Sequence, residues 1–346
     1  MDKVFIEKHL GDVLKETDFP ELGEKKTGKV RDVYVQDDKL ILIATDRYSA
    51  FDRNLAFIPF KGQVLNEVSK FWFEKTENIV KNHVLDFPDP NAMVVKKCEV
   101  LPVEVIVRGY TTGVTATSLW TLYQKGERIF DDVKLPEGMK KNQKLDRPLI
   151  TPTTKFEAHD RPLTREEIVK GGFVKEPLWK EIEEVAVKLF LRGQEIALQR
   201  GLILVDTKYE FGIAPDGSTR LTTSGSTHSI DLGQAGSPQG GKLILIDEIH
   251  TPDSSRYWQA DTYEERLSKG EEPEYFDKEF LRIWFKEHCD PYKDEKLPDA
   301  PSDMLVELSS RYIQIFEQLT GMKFEFDFST LILERIKKNL SAYAIT

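Results

Sequence analysis

Two short apolar runs, each ending in charged residues, constrain the fold of this chain more than any other feature. The first is LILVDTKYEFG (202–212) and the second is KLILIDEIH (242–250). Runs of this length that are apolar throughout are typical of strands buried on both faces. Because a single long loop joins the two runs, we expect an antiparallel pair whose charged ends lie close together.

The charged ends of these two strands predict a metal site. Side chains alternate between faces along a strand, so Asp206, Lys208 and Glu210 share one face. Antiparallel pairing would bring Glu210 close to Asp247. Two carboxylates repel each other unless a cation lies between them, and Mg²⁺ takes one or two carboxylates while keeping positions for phosphate oxygens. Lys208 adds a positive charge for the same phosphates. Solvated strand ends with cross-strand ion pairs are the alternative interpretation.

The composition is that of an acidic globular protein. The 346 residues include 49 Lys and Arg against 59 Asp and Glu, which gives a net charge of −10. This charge argues against a general nucleic-acid or anionic-membrane binder but allows a phosphate in a locally basic pocket. The two cysteines, Cys98 and Cys289, form neither a disulfide framework nor a zinc set. No apolar run reaches the length of a membrane span or a signal segment, and we expect a cytoplasmic protein.

Strand and helix patterns are interleaved without a βαβ rhythm, which favours an α+β fold. A hairpin over 26–45 and two strands within 92–110 predict a β-rich N-terminal unit. Because proline disfavours a central strand position, we place the boundary at Pro102, with domains 1–102 and 103–346. Apolar spacing near 3.6 residues predicts helices at 62–80, 176–201, 277–288, 303–319 and 329–340.

Two segments lack a regular pattern. Residues 135–164 are rich in Pro and Lys, which predicts a long irregular loop. Most of residues 217–241 are Gly, Ser or Thr, and this composition predicts a flexible surface excursion between the two acidic strands.

A glycine and two cations stand together in TGKVRDVY (27–34). Lys29 and Arg31 would share one face of the predicted strand, just after Gly28. A glycine lets the backbone approach a phosphate, and two cations would neutralise it. A solvated strand face would show the same pattern, and neither a Walker A loop nor a G-x-G-x-x-G motif occurs.

Polar residues also follow other predicted strands. Arg108 ends VEVIVRG, where an arginine can hold a carboxylate or phosphate with two parallel hydrogen bonds. Asp253 and Arg256 follow the second acidic run, and Ser49 and Asp52 follow the strand KLILIAT. Such clusters either serve function or form turns and helix caps. Together with the acidic strand ends, they indicate an ATP-using enzyme with a magnesium and phosphate site.

These motifs, in this order, resemble the longer, single-function form of the SAICAR synthetase family, the phosphoribosylaminoimidazole-succinocarboxamide synthases. The stretches that carry the resemblance are GKVRDVY, ATDRYSAFD, LPVEVIVRGYTTG, TPTTKFEAHD, LVDTKYEFG and DEIHTPDSSRYW. The resemblance implies an α+β fold in which a β-rich N-terminal lobe, reminiscent of a protein kinase lobe, and a larger part with C-terminal helices enclose the nucleotide. It also implies ATP-dependent ligation of L-aspartate to the carboxylate of carboxyaminoimidazole ribonucleotide (CAIR), through an acyl phosphate, in purine biosynthesis.

The resemblance implies roles for individual residues. The catalytic set would be Lys208, Glu210 and Asp247, of which Glu210 and Asp247 would hold Mg²⁺ and Lys208 would also contact ATP. The remaining ATP-binding residues would be Gly28, Lys29, Val30, Arg31, Cys98 and Val100. The substrate-binding residues would be Ser49, Asp52, Arg108, Thr115, Asp253 and Arg256. Val114 stands where the family has a small hydroxyl residue, so Thr115 or Thr112 would supply that donor.

The implied partners are small molecules, namely CAIR, L-aspartate and ATP, without nucleic acid or membrane, and we expect a monomer. One alternative is another ATP-dependent carboxylate–amine ligase, which only substrate assays would distinguish. A catalytically inactive nucleotide-binding regulator is the alternative from a different class. A protein kinase is disfavoured because neither an H-R-D nor a D-F-G motif occurs.

Overall fold

The computed structural model describes residues 2–51, 53–115, 117–131, 133–157, 161–214, 241–276 and 279–345. Within these ranges the chain is a mixed α+β protein with two large antiparallel sheets, as the sequence predicted. The expected surface excursion at 217–241 falls almost wholly on residues outside the described ranges.

The first sheet is formed by the N-terminal part of the chain, in the strand order β1-β2-β3-β7-β6. Its strands are β1 (Glu24–Thr27), β2 (Arg31–Val35), β3 (Lys39–Ala44), β6 (Val84–Asp89) and β7 (Ala92–Lys96). Between β3 and β6 in the chain, β4 (Arg47–Ala50) and β5 (Arg53–Phe57) form a separate hairpin. The predicted hairpin is present, because β2 and β3 pair around the QDD turn.

A turn that the sequence analysis did not predict interrupts residues 26–35. β1 ends at Thr27, and the N–H of Gly28 donates to the carbonyl oxygen of Arg31 at 2.8 Å. Lys29 therefore lies in a tight turn and does not share a strand face with Arg31, so that prediction was wrong. Apolar and polar residues do alternate here, but the hydrogen bond between Gly28 and Arg31 closes a turn, and β2 therefore begins only at Arg31.

The second sheet is formed around one long central strand. Its strands are β8 (Glu99–Tyr110), β11 (Lys144–Ile150), β12 (Thr153–Thr154), β13 (Leu202–Ala214), β14 (Lys242–Ile246) and β15 (Ser255–Gln259). Two short strands between β8 and β11 in the chain, β9 (Ile129–Phe130) and β10 (Val133–Lys134), form a separate hairpin. Strand β13 pairs with β8 along one edge, and with β15 and then β14 along the other. All these pairs are antiparallel, which confirms the predicted pairing of the two acidic runs.

Two predictions about loops and boundaries need correction. Strand β8 runs unbroken through Pro102, so the two strands predicted within 92–110 separate at residues 97–98 instead. The proline is tolerated because the register between β8 and β13 shifts there: Glu104 faces Glu210, whereas Val100 faces Gly212. The supposedly irregular segment 135–164 contains β11 and β12, whose hydrogen bonds come from pairing with β8 rather than from a local pattern.

The predicted helices are present with small shifts of their ends. The helices of the described chain are α1 (Lys3–Lys8), α2 (Lys61–Thr76), α3 (Leu119–Gln124), α4 (Arg165–Lys170), α5 (Glu176–Gln199), α6 (Ala260–Lys269), α7 (Glu279–His288), α8 (Ser302–Thr320) and α9 (Ile332–Asn339). Single 3₁₀ turns occur at Pro20–Leu22 and Ser341–Tyr343. None of the helices in the described ranges is long and apolar enough to cross a membrane.

A continuous apolar core joins the second sheet to α2, α5 and α8. The apolar stripe of α5 is buried against β13, and Gly201, with a left-handed φ of 73°, follows the helix end. The first sheet is tied to the second through the chain before β6, because His83 donates its backbone N–H to the carbonyl oxygen of Leu245 at 3.1 Å. This contact holds β14, and hence its acidic end, next to the first sheet.

Candidate active site

The acidic segment of β13 and the acidic end of β14 meet, as the sequence predicted. The charged residues of β13 lie within the strand and not at its end, because β13 continues past Glu210 to Ala214. Glu210 lies opposite Ile246, so Asp247 is the next residue along β14. Burial raises the pKa of the Glu210 carboxyl, and the nearby charge of Asp247 raises it further. Asp247 has a left-handed φ of 63°, which ends the strand alternation at Ile246. Asp247 and Glu248 therefore both reach Arg31 instead of pointing to opposite faces.

Arg31 neutralises the acidic end of β14. Its Nη1 donates to Asp247 Oδ1 at 2.9 Å, and its Nη2 donates to Glu248 Oε2. Burial opposes the charge on Arg31, but Asp247 and Glu248 outweigh burial and raise the pKa of the guanidinium. Burial would likewise raise the pKa of Asp247, but Arg31 and two nearby lysines outweigh it and hold that pKa below its usual value. The predicted phosphate ligand Arg31 thus lies directly against the predicted metal ligand Asp247.

Lys208 lies near the middle of β13, between the carboxylates of Glu104 and Glu210. Its Nζ lies 2.6 Å from Glu104 Oε1 and 3.6 Å from Glu210 Oε1, while Lys155 contacts the other oxygen of Glu210. Burial opposes the charge on Lys208, but Glu104 and Glu210 outweigh it and raise the pKa of the amine. Lys208 is therefore a fully charged group held between carboxylates.

Sequence analysis missed Glu104 and Lys155. Glu104 lies on the same face of β8 as Arg108. A carboxylate inside an otherwise apolar run could have marked Glu104 as a candidate site residue. Lys155 lies in the motif TPTTKFEAHD, but the motif assigned it no role. Both residues reach the site because β8 pairs with β13 on one side and with β12 on the other. No local sequence pattern predicts these pairings.

Glu210 and Asp247 fit a magnesium ion that takes its other ligands from phosphate and water. Burial and the nearby charge of Asp247 raise the pKa of Glu210 despite the contacts with Lys155 and Lys208, so a further cation at this carboxylate would stabilise its charged form. Across the ranges that the structure describes, no group of three or more His, Cys, Asp and Glu side chains could hold a metal. Two carboxylates with phosphate oxygens are an ordinary set for Mg²⁺, which seldom has an all-protein cage.

Asp206, the first acid of the charged strand end, holds two arginines. Arg256 Nε donates to Asp206 Oδ1 at 2.9 Å and its Nη2 donates to Oδ2, while Arg108 Nη1 lies 3.5 Å from Oδ2. Burial would raise the pKa of Asp206, but Arg256 and Arg108 outweigh it and lower that pKa. Burial lowers the pKa of Arg108 to about 10 despite the attraction of Asp206. Two guanidinium groups set side by side are suited to a phosphate.

A cavity of about 290 Å³ opens between β8, β13 and β15. It is lined by five residues that the sequence analysis singled out, Arg108, Thr115, Lys208, Asp253 and Arg256. Thr115 is the hydroxyl residue that can stand in for the missing one at Val114, since Thr112 is buried and donates instead to Asn142 Oδ1 at 2.7 Å. Arg108, Arg256 and Lys208 therefore line the same cavity. Lys208 also contacts the acid cluster, which we define as Glu104, Glu210, Asp247 and Glu248.

Asp253 is held at this cavity by residues from two helices. Lys61 Nζ lies 2.6 Å from Asp253 Oδ2, and Tyr312 Oη donates to Oδ1 at 2.5 Å. Lys61, at the start of α2, is wholly buried. A buried lysine needs a carboxylate partner, so the ion pair ties α2 to the turn that follows β14. No sequence signal marks Lys61 for this position.

The Gly28 turn approaches the acid cluster through Arg31. Arg47 Nη2 donates to the Gly28 carbonyl oxygen at 3.1 Å, and the Val30 carbonyl oxygen accepts from the backbone of Thr45 at 3.0 Å. These contacts fix the turn that carries Lys29.

Three other predicted residues, Ser49, Cys98 and Val100, do not line the cavity. Cys98 and Val100 stand where the chain passes between the two sheets, and burial raises the pKa of the Cys98 thiol to about 11. A thiol with such a pKa suits packing and not nucleophilic chemistry. Ser49 lies on β4 opposite Asn54, and Asp52 lies outside the described residues.

His250 lies buried behind the turn that carries the acidic residues. Its Nε2 is 2.5 Å from Tyr209 Oη, its ring packs edge-on against Trp72, and its carbonyl oxygen accepts from Tyr257 Oη at 2.7 Å. A Cβ on Gly193 of α5 would lie 2.4 Å from the His250 ring, so only glycine leaves room for it there. Burial lowers the pKa of the His250 imidazole to about 3.

Acidification should destabilise the protein through His250. The folded imidazole stays neutral down to a pH of about 3, whereas the unfolded one binds a proton below about 6.5. Its contribution to stability is therefore fully present above pH 6.5 and is lost as the pH falls. Between about pH 7 and about pH 5 the loss amounts to roughly 2 kcal/mol.

Denaturant unfolding of a His250→Leu variant at these two pH values measures this contribution. The variant should lose about 2 kcal/mol less than the parent between the two pH values. Tyr209→Phe keeps the imidazole and should keep the parent's pH dependence. An unaltered pH dependence in His250→Leu would contradict the assignment.

Comparison with known sequences places the whole chain in one family. A sequence profile described as SAICAR synthetase matches residues 24–226 and 234–298. A phosphoribosylaminoimidazole-succinocarboxamide synthase of Legionella pneumophila (strain Paris) is 52% identical over 314 residues, covering 91% of this chain and 93% of that protein. A chloroplastic synthase of the same name from Arabidopsis thaliana is 49% identical over 341 residues, covering 97% of this chain and 77% of that protein.

Solved structures agree with the sequence comparison. A SAICAR synthase from Saccharomyces cerevisiae in complex with SAICAR aligns with a TM-score of 0.72 at 31% identity, covering 90% of this chain and 100% of that chain. A SAICAR synthetase in complex with ADP aligns with a TM-score of 0.58 at 25% identity, covering 88% of this chain and 100% of that chain. The predicted family and fold are confirmed, and this chain belongs to the SAICAR synthetase family of ATP-dependent ligases.

Proposed function

We propose that the cavity and the acid cluster together carry out one reaction, the ATP-dependent ligation of L-aspartate to the carboxylate of CAIR. The products are SAICAR, ADP and phosphate, in the purine-forming pathway to which the family belongs. The observation that carries the residue assignment is the position of Lys208. It lines the cavity and also lies 3.6 Å from Glu210, so one cation faces both halves of the site.

The chemistry explains why such a cation is needed. A carboxylate is a poor electrophile, so its oxygen first attacks the γ-phosphorus of ATP, and ADP leaves. The aspartate amine then attacks the carbon of the acyl phosphate, loses a proton, and displaces phosphate. Each step brings negatively charged groups together, and enzymes lower such barriers by positioning and by neutralising charge.

The chain's own residues supply that positioning at both ends of CAIR. Arg108 and Arg256, held side by side by Asp206, would bind the ribonucleotide phosphate. Asp253, fixed by Lys61 and Tyr312, would accept hydrogen bonds from its ribose or amino group. Lys208 would then face the reacting carboxylate and phosphoryl oxygens.

ATP would approach from the side of the Gly28 turn. Lys29 and Arg31 would contact its phosphates, and the chain at Cys98–Val100 would meet the adenine edge. Glu210 and Asp247 would hold Mg²⁺, which would neutralise negative charge on the phosphate oxygens. Because Arg31 lies against Asp247, its guanidinium is already within the region where these phosphates would lie.

Steady-state production of ADP should require CAIR, L-aspartate, ATP and Mg²⁺ together. A coupled assay that omits each component in turn tests this requirement, with succinate in place of aspartate as a control that lacks the amine. Equal turnover without aspartate would contradict the ligase assignment. Turnover with a different carboxylate or amine in preference to CAIR or aspartate would favour a related ligase.

We also propose two lobes, with the boundary moved from Pro102 to residues 97–98, because the first sheet ends at Lys96 and the second begins at Glu99. We also propose a monomeric state, as expected above. A cytoplasmic location agrees with the absence of a cysteine framework, although one relative is named as chloroplastic. Sedimentation and fractionation respectively measure these two properties.

A further inference from the structure

Helix α7 contributes Arg282 to the wall of the cavity and is anchored in the core by one face. Leu281 and Phe285, one turn apart, are completely buried in the main core. The loop after the helix is held by Arg53 at the start of β5, which donates to the carbonyl oxygens of Asp294 at 2.5 Å and Glu295 at 3.1 Å. The position of α7 is therefore set by contacts with the N-terminal part of the chain.

Phe51 forms a platform under the polar side of α7. Its backbone has a φ of 55°, and its ring is almost completely buried. The Arg282 guanidinium lies 4.9 Å from the ring centroid, and Lys286 Nζ lies 5.6 Å from it. Tyr292 packs edge-on against the same ring at 5.3 Å. A cation held over an aromatic face keeps its charge and its hydrogen-bond donors while its orientation is restricted.

Arg282 also lines the cavity that the arginine pair occupies, whereas Lys286 does not. The charged groups on the cavity wall are Arg108, Lys208, Arg256, Arg282, Asp206 and Asp253. Four cations against two carboxylates leave two net positive charges. A phosphate monoester carries nearly two negative charges at neutral pH, and Arg282 adds a third guanidinium to the wall that would face it.

We propose that Arg282 is a further substrate-binding residue, which contacts the phosphate of the ribonucleotide together with Arg108 and Arg256. Phe51 acts as a positioning residue, because its ring holds the guanidinium towards the cavity. The inference rests on the assignment of this cavity to CAIR. It adds to that assignment a ligand from a helix far along the chain, and it connects phosphate binding to the packing of α7 on β4 and β5.

Steady-state kinetics of Arg282→Met, which removes the charge and keeps a long side chain, tests the proposal. The KM for CAIR should rise about 10-fold to 100-fold, since a charge-assisted contact is lost. The KM values for ATP and L-aspartate should stay within about twofold of the parent values. Ribose 5-phosphate should compete with CAIR, and its inhibition should weaken by the same factor, whereas Arg282→Lys should recover part of it.

Lys286→Met is the matched control, because Lys286 lies over the same ring but outside the cavity lining. It should leave the KM for CAIR unchanged. Phe51→Leu should raise that KM by a smaller factor, with thermal unfolding measured for every variant. A KM for CAIR that stays unchanged in Arg282→Met would overturn the proposal, as would a rise for aspartate instead.

Two further variants, Arg108→Met and Arg256→Met, test separately whether the cavity binds CAIR at all. If these variants raise the KM for CAIR and Arg282→Met does not, only the role of Arg282 is wrong. If none of the three raises it, the cavity is not the CAIR site, and both assignments fail. A rise for CAIR in all three supports both.

Discussion

Glu210→Gln and Asp247→Asn should each lower turnover at least about 100-fold while the protein stays folded. Each substitution keeps the shape of the side chain but removes a negative charge where the structure brings two carboxylates together. An amide oxygen is a weaker ligand for Mg²⁺ than a carboxylate, so more metal should be needed for half-maximal activity. The fold should persist because neither side chain belongs to the apolar core.

Turnover measured over a series of Mg²⁺ concentrations checks this prediction. Glu99→Gln is the matched control, because Glu99 is an exposed carboxylate paired across from β13 at Ile213. It should behave as the parent does. Parent-like activity of Glu210→Gln or Asp247→Asn at limiting Mg²⁺ would remove that residue from the metal site.

Lys208→Met should lower kcat by about 100-fold to 1000-fold. Lys208 carries the only charge that the structure places both on the cavity wall and between Glu104 and Glu210, as judged from the described residues. Its charge would stabilise the oxygens that become more negative during phosphoryl transfer. Because that stabilisation is largest in the transition state, kcat should fall more than the KM for ATP rises.

Single-turnover measurements of acyl phosphate formation, with aspartate omitted, would locate the lost step. Lys242→Met provides the control, since Lys242 is an exposed lysine at the start of the neighbouring strand, opposite Ala214. Retention of more than about half of the parent's kcat by Lys208→Met would contradict a catalytic role.

Local patterns predicted most of the regular structure. The stripe on α5 and the apolar runs of β13 and β14 were correctly identified, because burial of one face leaves a period in the sequence. The same logic failed at Lys29 and at residues 135–164. In both places a hydrogen bond or a strand pairing with another part of the chain, and not the local period, decided the conformation.

The candidate site was predicted in part. Arg108, Lys208, Asp253 and Arg256 do line one cavity, although three of them lie within strands β8, β13 and β15 and not after a strand end. Asp206 looked equivalent to Glu210 by alternation, but it pairs with Arg108 and Arg256 across two neighbouring strands. Its role in holding the arginines side by side follows from register, which the sequence of one strand does not contain.

The sequence by itself determined which apolar runs are followed by charge, that the two acidic runs pair, and which family the motifs resemble. Only the tertiary structure decided the partner of each charge: Lys155 for Glu210, Arg31 for Asp247, Lys61 for Asp253. The physical reason is the separation along the chain between the residues that interact. Alternation and helical period arise from neighbouring residues, whereas an ion pair between residues about 50 to 200 positions apart depends on how sheets and helices pack.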